Sequence, residues 1–169
     1  MAKTKYLVVM VLFFGIIANS GCLFDKIDSG PSDEVKNLYK FLHLRGRLQD
    51  RISGTERSRV NFAIAEYYFK VNDLIDTKSA FEGYVKENPI GITTLLANVY
   101  LYKMAQLENN QAKIAALKKE MFKEQFILLF NKYKILSYTS LYGNKYEVHY
   151  FVDRIEIFLN GDIFERVSP

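Results

Sequence analysis

The stretch "NFAIAEYYFKVNDLIDTKSAFEGYVKENP" (Asn61–Pro89) decides the fold. Apolar and aromatic residues recur three and four apart through Ile64, Ala65 and Tyr68, and again through Phe81 and Tyr84. That period predicts two amphipathic helices. Val71-Asn72-Asp73 interrupts it with turn-forming residues, and Pro89 closes the second run because a proline cannot continue a helix. The spacing therefore predicts an antiparallel helical hairpin.

The same residues resemble a tetratricopeptide repeat. Ile64 and Ala65 stand where that family has a leucine followed by a small residue, and Tyr68 occupies its tyrosine position three residues later. Phe81, Tyr84 and Pro89 fall at its second-helix aromatic, next packing position and terminal proline. The resemblance implies that Ala65 lets the second helix approach closely while Tyr68 and Phe81 fill the gap. Asn61 and Thr77 depart from the family's tryptophan and alanine. A partial second copy is expected in "LLANVYLYKMAQL" (Leu95–Leu107), where Ala97 and Tyr100 repeat the Ala65 and Tyr68 pair at a separation of 32.

Working outward, Ser32 to Ile52 reads as a helix capped by Ser32. Val35, Leu38, Tyr39 and Leu42 form its apolar side, continued by Leu48 and Ile52, with Lys36, Lys40, Arg45, Arg47 and Arg51 outside. "ISGTE" marks a break. Beyond Glu108-Asn109-Asn110, one longer helix is expected to carry Ile114, Leu117, Met121, Phe122, Phe126, Leu129, Phe130 and Tyr133 as a broad stripe. The C-terminus alternates instead, with Tyr146, Val148, Tyr150 and Val152 on one side, then Ile155, Ile157 and Leu159. Asn160-Gly161 is a strong hairpin signal. A small antiparallel sheet of two to four strands follows, with "KILSYTSLYG" as its least marked member. The predicted fold is mainly α, in the α+β class: helical hairpins of tetratricopeptide type, then a small antiparallel sheet packed on them.

The N-terminal run "YLVVMVLFFGIIANSGC" (Tyr6–Cys22) is uncharged over 13 residues to Ala18, short of the about 20 that a helix needs to cross the hydrocarbon. Lys3 and Lys5 before it, and Ala18, Ser20 and Gly21 after it, make it a secretory signal. Ala18-Asn19-Ser20-Gly21-Cys22 resembles the lipobox of bacterial lipoproteins, apart from Asn19, where the family carries an aliphatic residue. The resemblance implies cleavage between Gly21 and Cys22, and diacylglycerol and N-acyl modification of Cys22. A lone cysteine in an exported chain fits such an anchor better than a disulfide. The resulting organisation is signal peptide 1–21, lipid-anchored tether 22–31, helical domain 32–134 and sheet 135–169. Leu23 after the cysteine resembles the pattern released to the outer membrane, facing the periplasm.

Composition narrows the partners. The formal charge is +4, and removing residues 1–21 takes two lysines and no acid, leaving +2, too little to point to nucleic acid. The chain has 12 Tyr and 13 Phe but no Trp. No HExxH, phosphate-loop or GxSxG pattern occurs, and no His and Cys spacing suits zinc. His43 and His149 stand alone, and Asp73, Asp76, Asp153 and Glu156 lie near turns. Neither a catalytic residue, a metal site nor a cofactor is expected, so the chain is read as no enzyme. The leading expectation is a protein-binding scaffold or assembly factor for envelope complexes of the outer-membrane-protein, secretin or pilus type. Its groove would be lined by Tyr67, Tyr68, Tyr100 and Tyr102 of the first helices. The alternative is an envelope lipoprotein that holds a small or lipidic ligand in an aromatic pocket between helices and sheet.

Overall fold

A computed structural model of the protein describes residues 32–131 and 134–169. The signal peptide, Gly21, Cys22 and the tether lie outside the described residues. The described residues form six helices followed by a four-stranded antiparallel sheet, and Val35–Pro169 is one compact unit. The helices are α1 (Asp33–Arg47), α2 (Gly54–Lys70), α3 (Leu74–Glu87), α4 (Ile92–Leu107), α5 (Gln111–Met121) and α6 (Glu124–Asn131). The strands are β1 (Ile135–Thr139), β2 (Lys145–Tyr150), β3 (Ile155–Leu159) and β4 (Asp162–Val167). Among the described residues no helix is long and apolar enough to cross a membrane.

Local chemistry sets the helix ends. Ser53 caps α2, its hydroxyl accepting from the Glu56 backbone N–H at 3.2 Å. The α2–α3 and α4–α5 turns use one device. Asn72 (φ 59°) and Asn109 (φ 54°) take the left-handed conformation that ends the first helix, and the next residue caps the second. Asp73 accepts from Asp76 N–H at 3.1 Å, and Asn110 from Lys113 N–H at 3.0 Å. Matched through these turns, the two hairpins are offset by the 37 residues between Asn72 and Asn109, not by 32. Tyr68 and Tyr100 are therefore not equivalent: one precedes its turn by a single helical turn, the other by more than two.

The expected long final helix is two. Leu117, Met121, Phe126 and Phe130 are all buried. In one continuous helix at 100° per residue, Leu117 and Phe126 would project about half a turn apart, as would Met121 and Phe130. The break at Phe122-Lys123 brings both pairs to the core. Helix α1 likewise ends at Arg47, one residue after Gly46, short of Ile52.

Leu48 and Ile52, beyond the end of α1, pack inward as expected, but the inward face of the helix itself is not the expected one. Leu38, Tyr39 and Leu42 are 46%, 69% and 55% exposed, whereas Leu44 is buried and Phe41 and Leu48 pack beside it against Val60, Ala63 and Ile64 of α2. The basic residues expected in water hold this face down. Lys40 Nζ donates to the Tyr142 carbonyl at 3.3 Å, Arg45 reaches the Tyr68 hydroxyl, and Arg47 pairs with Glu56.

The sheet is a meander in the order β1-β2-β3-β4. Leu159 pairs with Asp162 across Asn160 (φ 54°) and Gly161 (φ 97°), a two-residue turn with both central residues at positive φ. Tyr146, Val148, Tyr150, Ile155, Ile157 and Val167 face the helices and are buried. Val152, expected among them, is 96% exposed, because β2 ends at Tyr150 and the chain turns, with Phe151 N–H donating to the Arg154 carbonyl at 2.8 Å. Eleven of the 16 residues of α4 are buried, which makes it the central helix, flanked by α3 and α5 and covered by the sheet.

Candidate functional site

The residues that carry the repeat resemblance mostly pack as their types require. Ala65 and Phe81 are fully buried, Ile64 and Tyr84 nearly so, and Tyr68 is half-buried. Pro89 is exposed, just past the end of α3 at Glu87. Phe62 meets Phe81 and Tyr84 edge-on at 5.6 and 5.4 Å, joining α2 to α3.

The groove expected between the first helices is filled by the chain itself. Phe62 of α2 packs edge-on against Tyr138 of β1 and Tyr146 of β2 at 5.7 and 6.2 Å. Phe164 of β4 lies 4.9 Å from the Tyr100 ring and 6.2 Å from that of Phe69. Lys103 of α4 donates to the Phe164 carbonyl and to Glu165, each at 2.9 Å. Tyr100 and Tyr102 are therefore core residues, 2% and 7% exposed, not groove lining. Tyr67 and Tyr68 are covered from the other side by α1: Phe41 stacks on Tyr67 at 4.2 Å and meets Tyr68 edge-on at 5.6 Å. Covering these rings with the chain's own strands and α1 removes their apolar surface from water.

Under the sheet lies a polar cluster that the sequence reading missed. Glu66 of α2 is 2% exposed. Its Oε1 accepts from the Tyr146 hydroxyl at 2.5 Å and from Asn144 Nδ2 at 2.8 Å, and Tyr100 and Tyr146 hydroxyls are 2.6 Å apart. Among the described residues Oε2 and the buried Tyr142 hydroxyl have no partner of good hydrogen-bond geometry, while Ser140 lies close enough to Glu66, and Arg59 to Tyr138, to favour their charged forms. Burial pushes the Glu66 carboxyl up to about 7 from its ordinary 4.5, against the lowering pull of its hydrogen bonds. Burial, with the charge of Glu66 adding to it, pushes Tyr138 and Tyr142 up to about 12 and raises Tyr100 and Tyr146 too. The signal was present: Phe62, Ala65, Glu66 and Phe69 share the i, i+3, i+4, i+7 face, so a glutamate stands on the buried stripe.

A second feature is an apolar pocket of about 270 Å³ between α6 and the end of β2. Phe122, Phe130, Tyr150 and Phe151 wall it, with Phe130 stacked on Tyr150 at 4.6 Å. The Tyr150 hydroxyl is used by the Met121 carbonyl at 3.1 Å. Arg154 lies 4.3 Å over the Phe151 ring, its charge met by Asp153 and Glu156 at 3.1 and 3.0 Å. His149 is half-buried on the outer sheet face, hydrogen-bonded to Glu147 and tilted against Phe158. His43 is exposed on α1. Among the described residues no three His, Cys, Asp or Glu side chains are placed to hold a metal ion. The chain matches no family model, no curated protein and no solved structure.

Proposed function

We propose that the chain is a lipid-anchored, protein-binding module of the bacterial envelope, tethered at the outer membrane through Cys22. Its scaffold is a tetratricopeptide-like pair of hairpins closed by the chain's own sheet. Because the groove is occupied, the docking surface moves to α1. The observation that supports this is the exposed stripe of Leu38, Tyr39 and Leu42, with Leu42 one helical turn beyond both others, on a helix whose other side is already packed. An amphipathic helix of an envelope protein is the matching partner, since apolar side chains at this spacing seat such a helix. The tether of residues 23–31 spans about 30 Å when extended, which keeps α1 beside the membrane.

A photo-crosslinking residue at position 39, used in cells with the native anchor and with Cys22→Ser, tests the reading. A protein adduct with the anchored form, and a shift of Cys22→Ser out of the membrane fraction, are expected. Adducts to lipid alone, or fractionation unchanged by the substitution, refute it. The ligand-binding alternative is favoured by the apolar pocket beside α6, a separate surface.

A further inference from the structure

The geometry points to the pocket between α6 and β2 as a binding site for a single-chain carboxylate amphiphile, a free fatty acid; this rests on the ligand-binding alternative above. The walls are four aromatic rings, and the opening includes Ile127 and Val152, 47% and 96% exposed. Exposed aliphatic side chains beside an aromatic cavity gain by covering with a hydrocarbon chain. At about 270 Å³ the space lies at the small end of ligand sites, which suits one acyl chain and excludes a two-chain phospholipid.

The head group follows from the polar lining. The Tyr150 hydroxyl is already used by the Met121 carbonyl, and Arg154, which stacks on Phe151 without lining the pocket, is held by Asp153 and Glu156. Among the described residues, the remaining polar lining is Asn131, the last of α6, and Lys134, just before β1. Both are exposed, and among the described residues neither side chain has a hydrogen-bond or ion-pair partner. An unpaired ammonium beside an amide is complementary to a carboxylate, while a cationic head would meet Lys134 with like charge.

Full-length protein in membranes is irradiated with a diazirine-bearing dodecanoate, and the labelled residues are mapped by proteolysis and mass spectrometry. Dodecanoate and dodecyltrimethylammonium serve as competitors of equal chain and opposite charge. Label is expected on the pocket walls, competed by dodecanoate and not by the cation. It should fall by about tenfold or more in Lys134→Glu and in Ile127→Trp, which fills the mouth. Both positions are exposed, so unchanged circular dichroism checks that each variant folds. Pocket label that both competitors remove equally, or that Lys134→Glu leaves intact, overturns the carboxylate assignment while the ligand-binding reading stands. Label scattered over the surface, or indifferent to Ile127→Trp, overturns both.

Discussion

Replacing Glu66 with glutamine should stabilise the protein in alkaline solution and leave it nearly unchanged in acid. The carboxyl titrates near 4.5 when unfolded and at about 7 when folded. Between those values the folded state keeps a proton that the unfolded state has released, so stability is full below the lower value and falls as pH rises toward the upper. The gap of about 2.5 units, at 1.36 kcal/mol each, makes the loss about 3 kcal/mol. Glutamine resembles the protonated acid: its carbonyl still accepts from Tyr146 and Asn144, and its amide takes the place of Oε2. Urea unfolding at about pH 5 and about pH 8.5 should show a wild-type decline that is missing in Glu66→Gln. The comparison within one pair of proteins cancels every other titrating group. Parallel pH profiles for the two, offset by a constant penalty in the variant, would refute the reasoning, because they would mean that the buried carboxylate is stabilised by something other than these neighbours.

Tyr100→Phe removes the hydroxyl that meets Tyr146 and should cost about 1 kcal/mol in urea unfolding, with the fold retained. Phe81→Ala, emptying a fully buried site stacked on Tyr100 at 4.6 Å, should cost about 3–5 kcal/mol. Asn72→Ala and Asn109→Ala force alanine into the left-handed region at two matching turns, so thermal unfolding should show similar losses of about 1 kcal/mol each. Gly161→Ala, at φ 97°, should destabilise by about 1 kcal/mol or more, read by the same measurement.

Local chemistry carried what was legible in the sequence. Asn160-Gly161 announced the last hairpin because few residues tolerate two successive positive φ values, and Val71-Asn72-Asp73 and Glu108-Asn109-Asn110 announced the helix breaks because Asn tolerates the left-handed conformation there. The choice between two apolar stripes on α1 was not legible. Leu38, Tyr39 and Leu42 compete with Phe41 and Leu44, and the oxygens waiting on Tyr142, Tyr68 and Glu56 favour the second set. The groove failed for a similar reason. Nothing local in Tyr100 or Tyr102 says that strands some 40 to 60 residues later will lie over them. Glu66 was readable from its helical face, but its partners were not, since Asn144 and Tyr146 are 78 and 80 residues away.

Those separations bear on the order of folding. The hairpins α2–α3 and α4–α5 close over three-residue turns and can form early, whereas seating the sheet on α2 must first close a loop of about eighty residues. A sheet that docks last covers the aromatic faces of α2 and α4 and dehydrates Glu66 in the same step. Substitutions at Tyr146 or Phe164 should then act mainly on the rate at which the sheet lets go, and substitutions at the Asn72 and Asn109 turns on how fast the helices arrive.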